Sequence, residues 1–257
     1  MNELKDMIWV ELRKAVRSRV PWLTGVGFLI LPLMCSFLFF IYKNPALSQE
    51  LGLIGTKANL VIGEVSWASY LKLVKEAFAM GGFFIICLMI SWIFGREFTD
   101  HTVKDLLAVP VHRFHILAGK MITVAIWYAI VVAVSCPLSL LMGIFIHLPD
   151  FSTNLLLSEC INLLYIALLN ILVMIPFAYL ASVGHGVLLS FGVAIAAIIL
   201  ANIFIVIGYA EFFPWAIPGL FSQGTPLTTI SLSTIWLTAL AGMLITILWW
   251  MYADQSR

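Results

Sequence analysis

From Cys160 to Ala210 the chain carries no aspartate, glutamate, lysine or arginine. A run of that length is not a half-buried helix of a soluble domain, whose apolar residues form one stripe opposite a charged face. It is too long for one crossing of a bilayer, which takes about 20 residues, and fits two crossings joined by a short turn. Composition extends the point to the whole chain. Of its 257 residues 62% are apolar and 11% charged, against roughly 45–50% and about 25% in soluble domains. The expectation is an all-α, polytopic membrane protein forming a single transmembrane domain over 1–257.

Six spans account for the apolar runs: about 20–42, 77–95, 121–146, 155–181, 187–209 and 232–252. The first is longer than the about 7–15 residues of a signal-peptide core, so a retained span is expected. The second lies between Glu76 and Arg96, with a helical extension outward through 70–75. Pro137 predicts a kink in the third, where a backbone hydrogen bond is lost. The fourth and fifth divide at the turn Ser182-Val183-Gly184-His185-Gly186. With the N-terminus inside, ten Lys and Arg residues fall on inner segments (Lys5, Arg13, Lys14, Arg17, Arg19, Arg96, Lys104, Arg113, Lys120 and Arg257). Four, Lys43, Lys57, Lys72 and Lys75, fall outside. That split predicts both termini on the cytoplasmic face. Trp92, Trp215, Trp249, Trp250 and Tyr252 lie near span ends, where amphipathic rings settle. Cys35, Cys87, Cys136 and Cys160 show none of the short paired spacings of metal or redox sites and read as small residues facing lipid or core.

Two segments outside the spans are patterned. In 1–19, Leu4, Met7, Ile8, Leu12, Ala15 and Val16 recur at helical spacing, with Lys5, Arg13, Lys14 and Arg17 on the other side. This is an amphipathic helix suited to the inner leaflet, acting as a topology anchor or also as a lever on a cytoplasmic partner. The inner loop 96–120 reads REFTDHTVKDLLAVPVHRFHILAGK. Asp100 can cap a short helix whose Val103, Leu106 and Leu107 share a face, and Pro110 ends it. Such a helix either docks in a groove of a partner or covers nearby span ends.

The order Glu97, Thr102, Leu106-Leu107, Pro110-Val111, Arg113, Ile116 and Gly119-Lys120 resembles the loop after the second span in permeases of the ABC type-2 exporter family. The basic N-terminal helix, the six spans and a Pro/Trp-rich segment before the last one are similar to that family too. His101 stands where the family often has Gly, and His112 where Ser is common. The resemblance implies that residues near 100–109 form a coupling helix inserted in a cleft of a separate ATP-binding-cassette ATPase. Its contacts would come from Glu97, Asp100, Thr102, Val103, Leu106, Leu107, Pro110 and Arg113. It also implies a second permease subunit, identical or a sister, and two ATPases, with ATP and magnesium on those partners and no cofactor on this chain. The Arg-Glu-aromatic-x-x-x-Thr pattern at 96–102 and the chain's size look most like the bacterial bacitracin and lantibiotic self-protection group. Sodium, polysaccharide-precursor and drug exporters are the alternatives, and the bacterial plasma membrane is the implied location.

Residues 211–227 hold Pro214, Pro218, Gly219, Gly224 and Pro226 and cannot form one continuous helix. They form either a broken, re-entrant segment capping a transport path or an interfacial loop anchored by Phe212 and Trp215. Along that path the candidates are Glu159, Asn162, Asn170, Pro214 and Trp215, since ionisable and amide groups in spans serve substrates or bridge helices. The scarcity of intramembrane charge favours an amphiphilic cargo such as a peptide antibiotic. No phosphate-binding Gly-x4-Gly-Lys-Ser/Thr loop, His-Glu-x2-His motif or Gly-x-Ser-x-Gly elbow occurs, so the chain is not expected to be an enzyme or to bind nucleic acid. The rival reading is a non-transporting membrane sensor or scaffold that recruits a cytoplasmic protein. An adjacent gene for a Walker-motif ATPase separates the two.

Overall fold

A computed structural model describes residues 3–44 and 64–252, and the side chain of Leu107 falls outside that description. Lys57 and Arg257, which belong to the charge count, lie outside the described residues. Within them the chain is all-helical. Helix α1 spans Glu3–Arg17, α2 Arg19–Lys43, α3 Trp67–Thr99, α4 Val103–Ala108, α5 Arg113–Phe145, α6 Thr153–Val183 and α7 Val187–Val206. Two 3-10 turns follow, Ala210–Phe212 and Pro214–Ala216, then α8 at Ile217–Ser222 and α9 at Thr229–Tyr252. Six helices, α2, α3, α5, α6, α7 and α9, are long and apolar enough to cross a membrane.

Local chemistry sets the breaks. Ser18 separates α1 from α2, its hydroxyl accepting from the Val20 N–H. Ser66 starts α3 by accepting from the Ser69 N–H, the expected device for an orphan donor at a helix start. Asp100 does not cap α4. Its N–H donates to the Arg96 carbonyl at 2.8 Å and closes α3, and the chain then turns at His101, where φ is 56°. Left-handed backbone there costs an L-residue and suits glycine. Helix α4 begins only after Thr102, whose side chain makes no capping bond. Helix α5 continues without a break through Pro137 to Phe145.

The hub is α3, which packs against α2, α5, α6, α7 and α8. Its most apolar stretch is 61% buried, against 22% in α7 and 28% in α9, so the last two stand at the periphery with faces left for lipid or another subunit. Close approach is built on glycine. A methyl on Gly242 of α9 would meet the Pro176 backbone of α6 at 2.7 Å, so these helices touch backbone to backbone, as small residues permit in spans. One end of the bundle, the base, gathers α1, α4, the α6–α7 turn and the end of α9. There Arg113 donates to the Trp250 and Met251 carbonyls at 2.9 and 3.1 Å, satisfying orphan groups at the end of α9. The other end, the crown, carries the 3-10 turns and α8.

Two cysteines are not isolated. Cys136 of α5 and Cys160 of α6 are half-buried, with sulfurs 3.6 Å apart; their separation across a helical hairpin hides the pair from sequence spacing. Copper-phenanthroline oxidation of a chain with a protease site inserted at 146–152 is expected to keep the two fragments joined after cleavage. The same treatment of Cys136→Ser should let them separate; joined fragments there would refute the pairing.

Candidate functional site: an ion cluster at the base

Helices α1, α3 and α5 converge at the base on five charged side chains. Lys120 of α5 is fully buried. Its ammonium donates to Glu97 Oε2 at 2.7 Å and the Ile93 carbonyl at 2.9 Å and lies 3.5 Å from Glu11 Oε2. Lys14 of α1 bridges the other carboxylate oxygens, 2.8 Å from Glu11 Oε1 and 3.2 Å from Glu97 Oε1. Arg96 reaches Glu97 Oε1 at 3.2 Å, and its guanidinium lies 4.8 Å from the centroid of the Trp92 ring, a cation–π geometry. Glu11 and Glu97 are both buried. A buried carboxylate persists only when paired and hydrogen-bonded, and here each has two or more cationic partners.

This geometry explains the two ends of the loop pattern. Glu97 and Lys120 close residues 98–119 into a clasped excursion from which α4 projects. Glu11 ties α1 to the same clasp, and Gly119 lets α1 approach α5 closely, since a methyl there would meet the Met7 backbone at 3.3 Å. Beside the clasp runs a groove of about 430 Å³ lined by Lys14, Arg96, Glu97, Asp100, Thr102, Asp105 and Leu106. Val103 faces inward and is buried, Leu106 is half-buried, and Val109 and Pro110 are exposed. Of the eight residues expected to couple to a partner, Glu97, Asp100, Thr102 and Leu106 therefore line one groove. Arg113 instead binds the end of α9. Glu11 does not stand out in the helical pattern of 1–19, and Lys14 falls there on the exposed basic face. The signal that could have found Glu11 is the stripe Met7, Glu11 and Ala15, one carboxylate on an otherwise apolar line of α1, all three of them buried.

The five residues placed on a transport path do not converge. Glu159 is held by Lys75 at 2.6 Å and accepts from Asn162 at 3.4 Å. Asn170, fully buried, donates to the Phe78 carbonyl and the Tyr128 hydroxyl and so bridges α6 to α3 and α5. Pro214 opens the second 3-10 turn. Trp215 donates from its indole to the Val173 carbonyl at 2.9 Å while its ring lines a crown cavity with Glu76, Phe83 and Asn202.

Six membrane-length helices around an ion-clasped loop define a multi-pass membrane protein. Among the described residues no group of three or more His, Cys, Asp and Glu is placed to hold a metal. The chain belongs to the ABC-2 family transporter proteins, whose family model matches residues 7–208, from α1 through α7. It is thus a non-catalytic permease of that family. Bacitracin transport permease protein BCRB of Bacillus licheniformis is 28% identical to it over 71 residues, 28% of this chain and 34% of that protein. The match therefore spans about a third of the relative's length.

Proposed function

We propose that this chain is the membrane-spanning permease subunit of an ATP-driven exporter that expels an amphiphilic substrate such as a peptide antibiotic. Family membership supports the transport reading, and the likeness to a bacitracin permease supports the cargo class. The observation that carries the mechanism is the Glu97–Lys120 clasp, which joins α4 to the bases of α3 and α5 and to α1. In this reading the base faces the cytoplasm of a bacterial cell, with both termini there. Helix α1 rests on the inner leaflet with its basic side toward anionic lipid, and α4 is the coupling helix. Cytoplasmic ATP-binding-cassette subunits hold ATP and magnesium, and their closure pushes on α4. Two permease subunits complete the assembly, for which the bare faces of α7 and α9 leave room. The broken segment 211–227 re-enters the membrane from the outer side, its irregular backbone tolerated because it packs against protein.

Leu106→Asp with Leu107→Asp adds two charges to α4, one of them at the groove that Leu106 lines. The double variant is expected to insert normally, to lose co-purification with its ATPase by tenfold or more (about 1.4 kcal/mol per tenfold), and to lose peptide protection in cells. Unaltered ATPase binding and transport would remove the coupling assignment. Protection that persists with a hydrolysis-dead ATPase would instead favour sequestration by a scaffold.

A further inference from the structure

The crown cavity is bounded by α3, α7, the Pro214–Ala216 turn and α8. Its floor is buried and apolar, with Ala79, Phe83 and Ala216, whereas Met80 and Asn202 are exposed at its rim. The water-accessible space is about 80 Å³. One water needs about 10–15 Å³ by that measure, so the cavity admits a head group of several heavy atoms and leaves a longer chain outside.

Its charged lining is one-sided, the other polar side chains there, Asn202, Ser222 and Gln223, being neutral. Glu76 lines the cavity half-buried and makes no ion pair or hydrogen bond among the described residues, while its neighbour Lys75 is already engaged by Glu159. Lys72, one turn away, is exposed and outside ion-pair distance. Among the described residues no lysine or arginine lines the space. Asn202 donates one amide N–H to the Ile198 carbonyl, and its oxygen remains an acceptor. The Trp215 indole N–H is committed to the Val173 carbonyl, so the tryptophan brings an aromatic side chain but no free donor. A carboxylate without an ion pair among the described residues, in a space also lined by an amide oxygen, Phe83 and Trp215, suits a cation through charge pairing, with aromatic side chains close by. The carboxylate repels an anion.

We propose that this cavity is a cation-recognising subsite that takes the ammonium head of an amphiphile whose apolar chain lies outside along the rim. Calling that amphiphile a cargo rests on the export reading; its binding does not.

The test uses the purified full-length chain in phosphatidylcholine nanodiscs, with radiolabelled dodecyltrimethylammonium and uncharged dodecanol as probes. Wild type is expected to bind the ammonium probe above its partition into empty discs, and Glu76→Gln about tenfold more weakly, a loss in keeping with one charged contact. Dodecanol binding should be the same in both, and Glu76→Asp should recover part of the difference. Equal ammonium binding by wild type and Glu76→Gln would overturn the proposal. So would wild-type binding no greater than partition, a result that needs no variant to fold. Export is tested separately, by ATP-driven uptake of the same probe into inverted vesicles containing the chain and its ATPase. Binding without uptake there would reject the export reading and leave the subsite standing.

Discussion

Replacing Glu97 with glutamine is expected to destabilise the protein by about 3–5 kcal/mol, the usual cost of removing one partner from a buried ion pair. The change is nearly isosteric, so packing contributes little. It leaves three cations facing one carboxylate, and the most buried of them, Lys120, keeps as its only carboxylate partner Glu11, at 3.5 Å, beside neutral acceptors such as the Ile93 carbonyl at 2.9 Å. Lys14 and Arg96 are partly exposed and can turn to water, whereas Lys120 cannot. Adding Lys120→Met to Glu97→Gln removes the stranded charge and leaves Glu11 paired with Lys14 at 2.8 Å. Most of the lost stability should then return, while transport stays impaired because the clasp is still missing. Thermal unfolding in detergent, read beside transport in vesicles, separates these effects. A single variant as stable as wild type, or a double variant as transport-competent as wild type, would contradict the role given to the cluster.

The crossings are legible in the sequence because their signal is the absence of charge, which survives any tertiary arrangement. What the sequence hides is charge neutralised by distant partners. Lys72, Lys75 and Glu76 look like the end of an apolar span, yet α3 starts at Trp67, and Lys75 is absorbed into the bundle by Glu159 of α6. The start of α5 at Arg113 has the same basis, since that guanidinium is consumed by the last carbonyls of α9. Glu97 and Lys120 are visible as the two ends of a pattern, but their pairing is not. Nor is Glu11, because a single carboxylate on an amphipathic helix reads as solvated until its partners are known. The crown cavity is only half legible, through Trp215. Its carboxylate, Glu76, reads as the boundary of a span, and one residue's turn of helix decides whether such a group meets a counter-ion or a cavity.

Gly95→Ala is the second large effect expected, and it tests whether the base moves as one body. The added methyl would lie 2.8 Å from Gly186 Cα and 3.0 Å from its carbonyl carbon. Both are backbone atoms and have no rotamer to escape into. The α6–α7 turn is held in place by the Gly186 N–H donating to the Ala181 carbonyl at 3.2 Å, by Thr99 Oγ1 donating to the His185 carbonyl at 3.4 Å, and by His185 stacked on Phe98 with ring centroids 5.1 Å apart. A shift large enough to admit the methyl must therefore break several of these contacts or tilt α7, whose Ser190 donates to Ser91 at 2.6 Å. Overpacking of this kind costs about 1–3 kcal/mol. A methyl added at Gly192, on α7, would have nothing within 4 Å, so Gly192→Ala should be neutral or gain up to about 1 kcal/mol from helix propensity. Because Gly95 stands two residues before Glu97, the displaced turn also pulls on the clasp. Gly95→Ala is therefore expected to uncouple ATP hydrolysis from transport at temperatures where the chain is still folded. Unfolding midpoints for both alanine variants, with coupled transport assayed well below them, decide the matter: full coupling in Gly95→Ala would mean that the turn and the clasp respond independently.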